Sequence, residues 1–331
     1  MTRLFLRTRE FLWQEGHTAH ATEEDADKEV AQMLGIYKKL VEEFLAVPAL
    51  TGNKSEQEKF AGALYTKAIE SLMPDGRALQ MGTSHNLGQH FSKPYNIKFV
   101  DKDEKEKFVW TTSWGVSTRL LGAIIMVHGD DRGLVLPPKI APIQAVIVPI
   151  LFEDSKKEVL KKAMEIKESL EKSGIDAHLD ERDDYSPGWK FNDWEIKGVP
   201  LRVEIGPKDM EKGQITLARR DTGEKIQVKE GDVKSVVKIL EDIQNNLFKK
   251  AREGMESLIK EVKNKEDFKK QIENKKMVFA SWCASKGCEE KIKEETTATS
   301  RVIPFGQKKT KSKCVYCGQP SEQKAYFAKA Y

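Results

Sequence analysis

Ser113-Trp114-Gly115-Val116-Ser117-Thr118-Arg119 joins two unlike segments of this chain. Before it, Phe108-Val109-Trp110-Thr111 is aromatic and β-branched, a composition that favours a strand. After it, an apolar helix is expected over about Val116 to Val127, followed by a loop from Gly129 to Gly133. Gly115 lets a flat ring approach the backbone, and Arg119 at a helix start can stack on or neutralise a nucleotide. Taken alone, an ordinary helix start with a surface arginine explains the same residues.

Toward the N-terminus, Gln80-Met81-Gly82-Thr83-Ser84-His85 reads as a strand end rich in hydrogen-bonding groups, after a turn at Pro74-Asp75-Gly76. His85 is there either a structural histidine or one that meets a ligand. Two helices are expected upstream. Ala26, Val30, Leu34, Tyr37, Val41 and Leu45 recur at helical spacing behind an acidic first turn. Ser55 and Glu58 make a capping-box pair for a second helix with a stripe of Phe60, Leu64, Ala68 and Leu72. Phe5 to His17 reads as a strand, on which Arg7, Arg9 and Phe11 share a face, as do Trp13, Glu15 and His17. A solvated basic strand explains the arginines. It does not explain the second row, whose residues suit the lining of a small polar pocket.

Toward the C-terminus, a boundary falls near Pro142 and the pattern changes. Residues 145 to 150 form an uninterrupted β-branched strand, and residues 155 to 172 an amphipathic helix closed by Gly174. Strands at 175–179, 201–205 and 214–219, the last turning at Thr222-Gly223, alternate with a helix at 187–196. This predicts an α/β domain with a mixed sheet. A long polar helix over 233–263 leads to a cysteine-bearing tail. Cys283, Cys288, Cys314 and Cys317 are the only cysteines, spaced C-x4-C and C-x2-C. Tetrahedral zinc takes four soft ligands from two tight turns, so this clustering favours a structural zinc site over four unrelated thiols. Gly287 and Gly318 are expected to provide positive φ beside the ligands. Lys308, Lys309, Lys311 and Lys313 either meet phosphates or form a solvated loop.

Composition narrows the classes. The chain has 331 residues, 39% hydrophobic and 33% charged, with 56 basic against 52 acidic residues and a net charge of +4. That charge is too small to indicate nucleic-acid binding by itself. No window approaches the ~18 consecutive apolar residues of a membrane span, and the basic N-terminus lacks the apolar core of a signal peptide. A cytoplasmic protein without membrane association is expected.

Together the motifs resemble the class II prolyl-tRNA synthetases of the archaeal/eukaryotic type. Arg7-Thr8-Arg9-Glu10-Phe11 and Trp13-Gln14-Glu15-Gly16-His17 resemble the second half of their motif 2. Gln80 to Gln89 resembles their proline-and-ATP loop, and Ser113 to Arg119, continued by His128-Gly129-Asp130 and Gly133 to Pro138, their motif 3. The α/β segment is similar to their anticodon-binding domain, and the tail, closing on Tyr331, to their zinc-binding domain. The resemblance implies an α/β and α+β multidomain protein. Its parts are a partial class II antiparallel-sheet catalytic domain (1–142), an α/β anticodon-binding domain (143–250) and a small zinc-binding α+β domain (251–331).

The family resemblance also implies a reaction: ATP-dependent activation of proline to prolyl-adenylate, then transfer to tRNA(Pro). Carried over by motif, Arg7, Thr8, Gln80, Thr83, Ser117 and Arg119 would bind ATP, with Arg7 and Arg119 catalytic and Gln80 also meeting Mg²⁺. Trp13, Glu15, His17 and His85 would border proline, and the four cysteines would hold Zn²⁺. Motif 1, the first strand of motif 2 with its arginine, and the Thr-x-Glu loop have no counterpart in the sequence. Motif 1 builds the homodimer of the complete enzyme. The chain alone is therefore expected not to aminoacylate tRNA. The competing reading is a catalytically incomplete fragment, or a tRNA-binding or regulatory module that kept the anticodon and zinc domains.

Overall fold

The alternation of Trp13, Glu15 and His17 is realised in strand β1 (Trp13–His20), in a computed structural model that describes residues 2–309 and 311–331. Upstream, the expected strand through Arg7 and Arg9 does not form. Phe5 takes a φ of 59°, and a tight turn bridges Arg3 to Arg7, burying Leu6. Helix α1 (Glu23–Lys39) follows, with Thr22 accepting the Asp25 N–H at 3.2 Å and the expected Ala26, Val30, Leu34 and Tyr37 buried.

The second expected helix is a strand. Ser55 does accept the Glu58 N–H, at 3.2 Å, but the turn ends at Phe60, whose N–H goes to Thr66 Oγ1 at 3.0 Å. Tyr65 to Leu72 then form β3, between β2 (Leu50–Asn53) and β4 (Ala78–Gly88). The physical reason is arithmetic. A spacing of four residues keeps one face of a helix, but being even it also keeps one face of a strand, so the stripe from Phe60 to Leu72 fits both. A small hairpin, β5 (Lys98–Val100) and β6 (Glu106–Phe108), precedes β7 (Trp110–Ser117), which runs into helix α2 (Arg119–His128).

The middle of the chain alternates as the sequence predicts. Its elements are β8 (Ala145–Pro149), α3 (Lys156–Lys172), β9 (Ala177–Leu179), α4 (Pro187–Ile196), β10 (Leu201–Ile205), α5 (Pro207–Glu211), β11 (Gln214–Arg219), β12 (Lys225–Lys229) and α6 (Val233–Ser257). The sheet order is β12-β11-β10-β8-β9, with β10, β8 and β9 parallel and the β11 and β12 pairings antiparallel. Ala145 and Ile147 pack into one core with α3 and α6, while Val146 and Val148 meet Trp194 and Val199 on the other face. Burial on both faces is why β8 reads as an unbroken apolar run.

The tail holds β13 (Ile259–Glu261), α7 (Lys265–Glu273), β14 (Met277–Trp282), α8 (Lys286–Thr296), β15 (Thr299–Ser300), β16 (Ile303–Pro304), β17 (Ser312–Lys313), β18 (Pro320–Ser321) and β19 (Gln323–Ala328). The polar helix expected to reach residue 263 stops at Ser257, because Ile259 to Glu261 pair with Met277 to Phe279. Phe268, Trp282 and Phe327 form an edge-to-face cluster at the centre of the tail's core. β16 pairs with β2 and so completes a six-stranded sheet, β1-β7-β4-β3-β2-β16, antiparallel throughout.

By packing, Met1–Glu43, Val47–Met126 and Arg252–Tyr331 form one compact unit, and Phe44–Ala46 with Val127–Ala251 a second. The tail thus shares a unit with the six-stranded sheet. Among the described residues no helix is long and apolar enough to cross a membrane.

Candidate active site

Strand register builds the site. His17 lies opposite Ser113, and Ser113 opposite His85; Glu15, Gly115 and Thr83 form the next row. Residues directly opposite in antiparallel strands share a face, so two polar rows cross β1, β7 and β4 side by side. At about 4.8 Å per strand each row spans roughly 10 Å. Trp13 lies opposite Ser117. A Cβ at Gly115 would stand 3.6 Å from the Trp13 ring, and one at Gly16 only 2.4 Å from the Trp114 indole. Gly16 is needed so that the Trp114 indole can lie on the sheet; at Gly115 the Trp13 ring stands at ordinary contact distance and the Gln14 carbonyl, at 3.3 Å, is the nearer neighbour.

Above these rows opens a cavity of about 830 Å³. Its lining includes Trp13, Glu15, His17, Gln80, Thr83, His85, Ser117 and Arg119, eight of the ten non-cysteine site residues that the family resemblance implies. Arg7 and Thr8 are not in the lining. Arg7 sits in the N-terminal turn and donates to the main-chain oxygen of Tyr331 at 3.2 Å.

Arg119 begins α2. Its Nε donates to Leu6 O and one terminal nitrogen to Gln80 O, each at 3.1 Å, and its N–H meets Ser117 Oγ at 3.3 Å. Among the described residues no carboxylate lies within ion-pair distance of it. Burial lowers its pKa most, Glu70 raises it, and Arg7 and Arg301 lower it further. A partly buried guanidinium held by carbonyls alone keeps its positive charge available to an anion.

Burial pushes His85 down to about 4, so its imidazole is neutral at pH 7. Its Nδ1 is 2.8 Å from Thr66 Oγ1 and its ring centroid 5.1 Å from that of Phe60. Thr66 and Glu58 also line the cavity. Neither is legible as a cavity residue while the segment from Ser55 to Leu72 carries the spacing of a helix. Thr66 could have been found by testing the even spacing of that stripe against a strand. On the far side of the sheet Tyr37 of α1 donates to Gln14 at 2.5 Å, and Tyr65 and Asn86 both donate to Asp27.

The four cysteines converge. All their sulfurs lie within 4.8 Å of one another, with Cys283–Cys317 at 3.5 Å and Cys288–Cys314 at 3.7 Å. Four sulfurs tetrahedral about a metal at about 2.3 Å stand roughly 3.8 Å apart, so the cluster fits such an ion and closes its coordination. Positive φ beside the sulfurs is supplied by Gly318 (75°), as expected, and by Ala284 (57°). Gly287 instead lies inside α8 without positive φ, because the chain reverses before the helix begins.

Comparison with known proteins accords with this geometry. Residues 2–128 match the family model described as the tRNA synthetase class II core domain (G, H, P, S and T). Residues 144–240 match the anticodon binding domain, and 265–331 the C-terminal domain of prolyl-tRNA synthetase. The proline–tRNA ligase of Natranaerobius thermophilus is 52% identical over 334 residues, covering all of this chain and 69% of its own length. The ligase of Oceanobacillus iheyensis is 52% identical over 332 residues (68% of its length), and that of Cenarchaeum symbiosum 49% over 332 (69%).

Proposed function

This chain belongs to the proline–tRNA ligase family of class II aminoacyl-tRNA synthetases, and we propose that its cavity activates proline with ATP and passes it to tRNA(Pro). The observation that carries this is Arg119, a charge without an acid at the edge of two polar rows. Arg7, Thr8, Gln80, Thr83, Ser117 and Arg119 take ATP, with Mg²⁺ near Gln80. Trp13, Glu15, His17 and His85 enclose proline. A wall of indole and neutral imidazole suits a compact pyrrolidine ring, and Glu15 offers a carboxylate to its ammonium.

In the first step the proline carboxylate attacks the α-phosphorus and pyrophosphate leaves. In the second, a hydroxyl of the 3′-terminal adenosine attacks the prolyl carbonyl and AMP leaves. Both need positioning and charge neutralisation more than a protein base. Arg119 supplies the neutralising charge from the cavity wall; Arg7, outside the lining and bonded to Tyr331, joins it only by leaving that contact.

Three domains divide the work: 1–142 for catalysis, 143–250 for the anticodon and 251–331 around a structural zinc on Cys283, Cys288, Cys314 and Cys317. The protein acts in the cytoplasm, and the full-length enzyme is a homodimer. The test is ATP–pyrophosphate exchange and tRNA(Pro) charging by this chain, alone and together with the segment of a relative that it does not cover. Exchange that depends on proline supports the reading; exchange indifferent to the amino acid, or charging of any tRNA alike, overturns it.

A further inference from the structure

Beside the cavity, on the same strand as Thr66, lies a second charged group that the proposed chemistry does not use. The Glu70 carboxylate on β3 is completely buried. Lys54 Nζ donates to its Oε1 at 2.6 Å. Arg301, between β15 and β16, donates from one terminal nitrogen to Oε1 at 2.8 Å and Oε2 at 3.0 Å, and from Nε to Oε2 at 3.2 Å. Arg301 is steadied in turn by Thr299 Oγ1 at 2.9 Å. Two cations on one buried carboxylate are costly to assemble, and removing a partner is costlier still.

The place of this cluster is informative. Along the β3–β4 ladder Ile69 pairs with Gly82 but Glu70 pairs with Gln80, so Met81 is an extra residue and β4 bulges there. Bulges re-aim side chains and recur beside active sites. Here the bulge falls inside Gln80-Met81-Gly82-Thr83, and the carbonyl of Gln80 is one of the two that hold the Arg119 guanidinium. A continuous chain of contacts therefore runs from Arg301 to Glu70, across the bulged pair to Gln80, and on to Arg119.

We propose that Arg301 is a positioning residue for the nucleotide end of the cavity, clamping Glu70 so that the bulge at Met81 presents Gln80 and its carbonyl to Arg119. The inference rests on reading that end as the ATP site. It makes the cysteine-bearing tail part of the catalytic apparatus.

The test is calorimetric titration of the 331-residue chain with Mg²⁺·ATP for the wild type, Arg301→Lys, Arg301→Met, Arg119→Ala and the Arg301→Met/Arg119→Ala double variant. Thermal melting and metal content are followed in parallel. Arg301→Met should weaken ATP binding about tenfold, the size expected of residues within one network. Arg301→Lys, which keeps the cation and guards against loss of folding, should recover most of that. In the double variant, Arg301→Met should add almost nothing to the loss caused by Arg119→Ala. Wild-type binding that Arg301→Met and Arg301→Lys both leave unchanged, or full additivity in the double variant, overturns the positioning role alone. Absence of wild-type binding overturns the ATP reading and this inference with it.

Discussion

The two sheets of this protein treat arginine in opposite ways. In the α/β sheet Arg182 is held by Asp180 and Asp193, Arg202 by Glu204, Arg219 by Asp221 and Arg220 by Asp130, all at 2.6–2.9 Å. In the antiparallel sheet Arg301 is equally matched, by Glu70, but Arg119 rests on two carbonyls. A cation neutralised within the fold serves the fold. One that is placed, partly buried and left unneutralised is available for an anion that arrives later. The contrast separates site from scaffold more sharply than charge counting, since the net charge of +4 distinguishes nothing.

The largest effect should come from the cysteine cluster, where four thiol ligands take the place of an ion pair. Chelation of the metal, or Cys288→Ser, should remove on the order of 10 kcal/mol from the folding of the tail. Metal analysis should find about one zinc per chain, and the unfolding transition of the unit that contains the tail should fall to lower temperature on chelation. Four freely reactive thiols with no bound metal would contradict this. Next in size, Arg219→Ala should cost about 3–5 kcal/mol of stability, because Asp221 is left buried without its cation. Denaturation of the α/β unit reads this, and a change below about 1 kcal/mol would break the scaffold half of the comparison.

Arg119→Ala should do the reverse. Its melting temperature should stay close to wild type, while proline-dependent exchange in the full-length enzyme should fall by about 2.7–4 kcal/mol of transition-state stabilisation, as for loss of one oxyanion-hole donor. The smallest effect is a pH dependence. His85 is pushed from 6.5 down to about 4, so the unfolded chain binds more protons between those values. Stability should therefore fall as pH drops from about 6.5 toward about 4, by about 2 kcal/mol between pH 7 and pH 5. His85→Gln should flatten that part of the profile in urea titrations at the two pH values.

The sequence revealed these regions unevenly. In the α/β sheet β8, β10 and β11 are legible nearly to the residue, since strands buried on both faces leave unbroken apolar runs, as at Ala145 to Pro149, whereas the short α5 and the edge strand β12 carry no such signal. In the antiparallel sheet β3 is ambiguous in sequence, because spacing by four suits both periods, and that ambiguity hides the place of Thr66 and Glu58 in the cavity. The row Trp13, Glu15 and His17 is legible as alternation and is realised in β1, whereas the same alternation through Arg7, Arg9 and Phe11 gives no strand because the chain turns at Phe5. Glu70 and Arg301 were not, being 231 positions apart in sequence. Nothing local signals a contact between segments so far apart in the chain. Gly16 illustrates a middle case: its need for a bare backbone is set by the Trp114 indole, 2.4 Å from where a Cβ would stand, a neighbour that the sequence alone does not reveal.

The claim at the centre is that Arg119 is the charge an incoming nucleotide neutralises. Its most direct measurement is calorimetric titration of Mg²⁺·ATP into the wild-type chain, Arg119→Ala and Arg219→Ala. Saturable binding to the wild type and to Arg219→Ala, weakened at least about a hundredfold in Arg119→Ala, is the expected result. Equal binding by wild type and Arg119→Ala would contradict it.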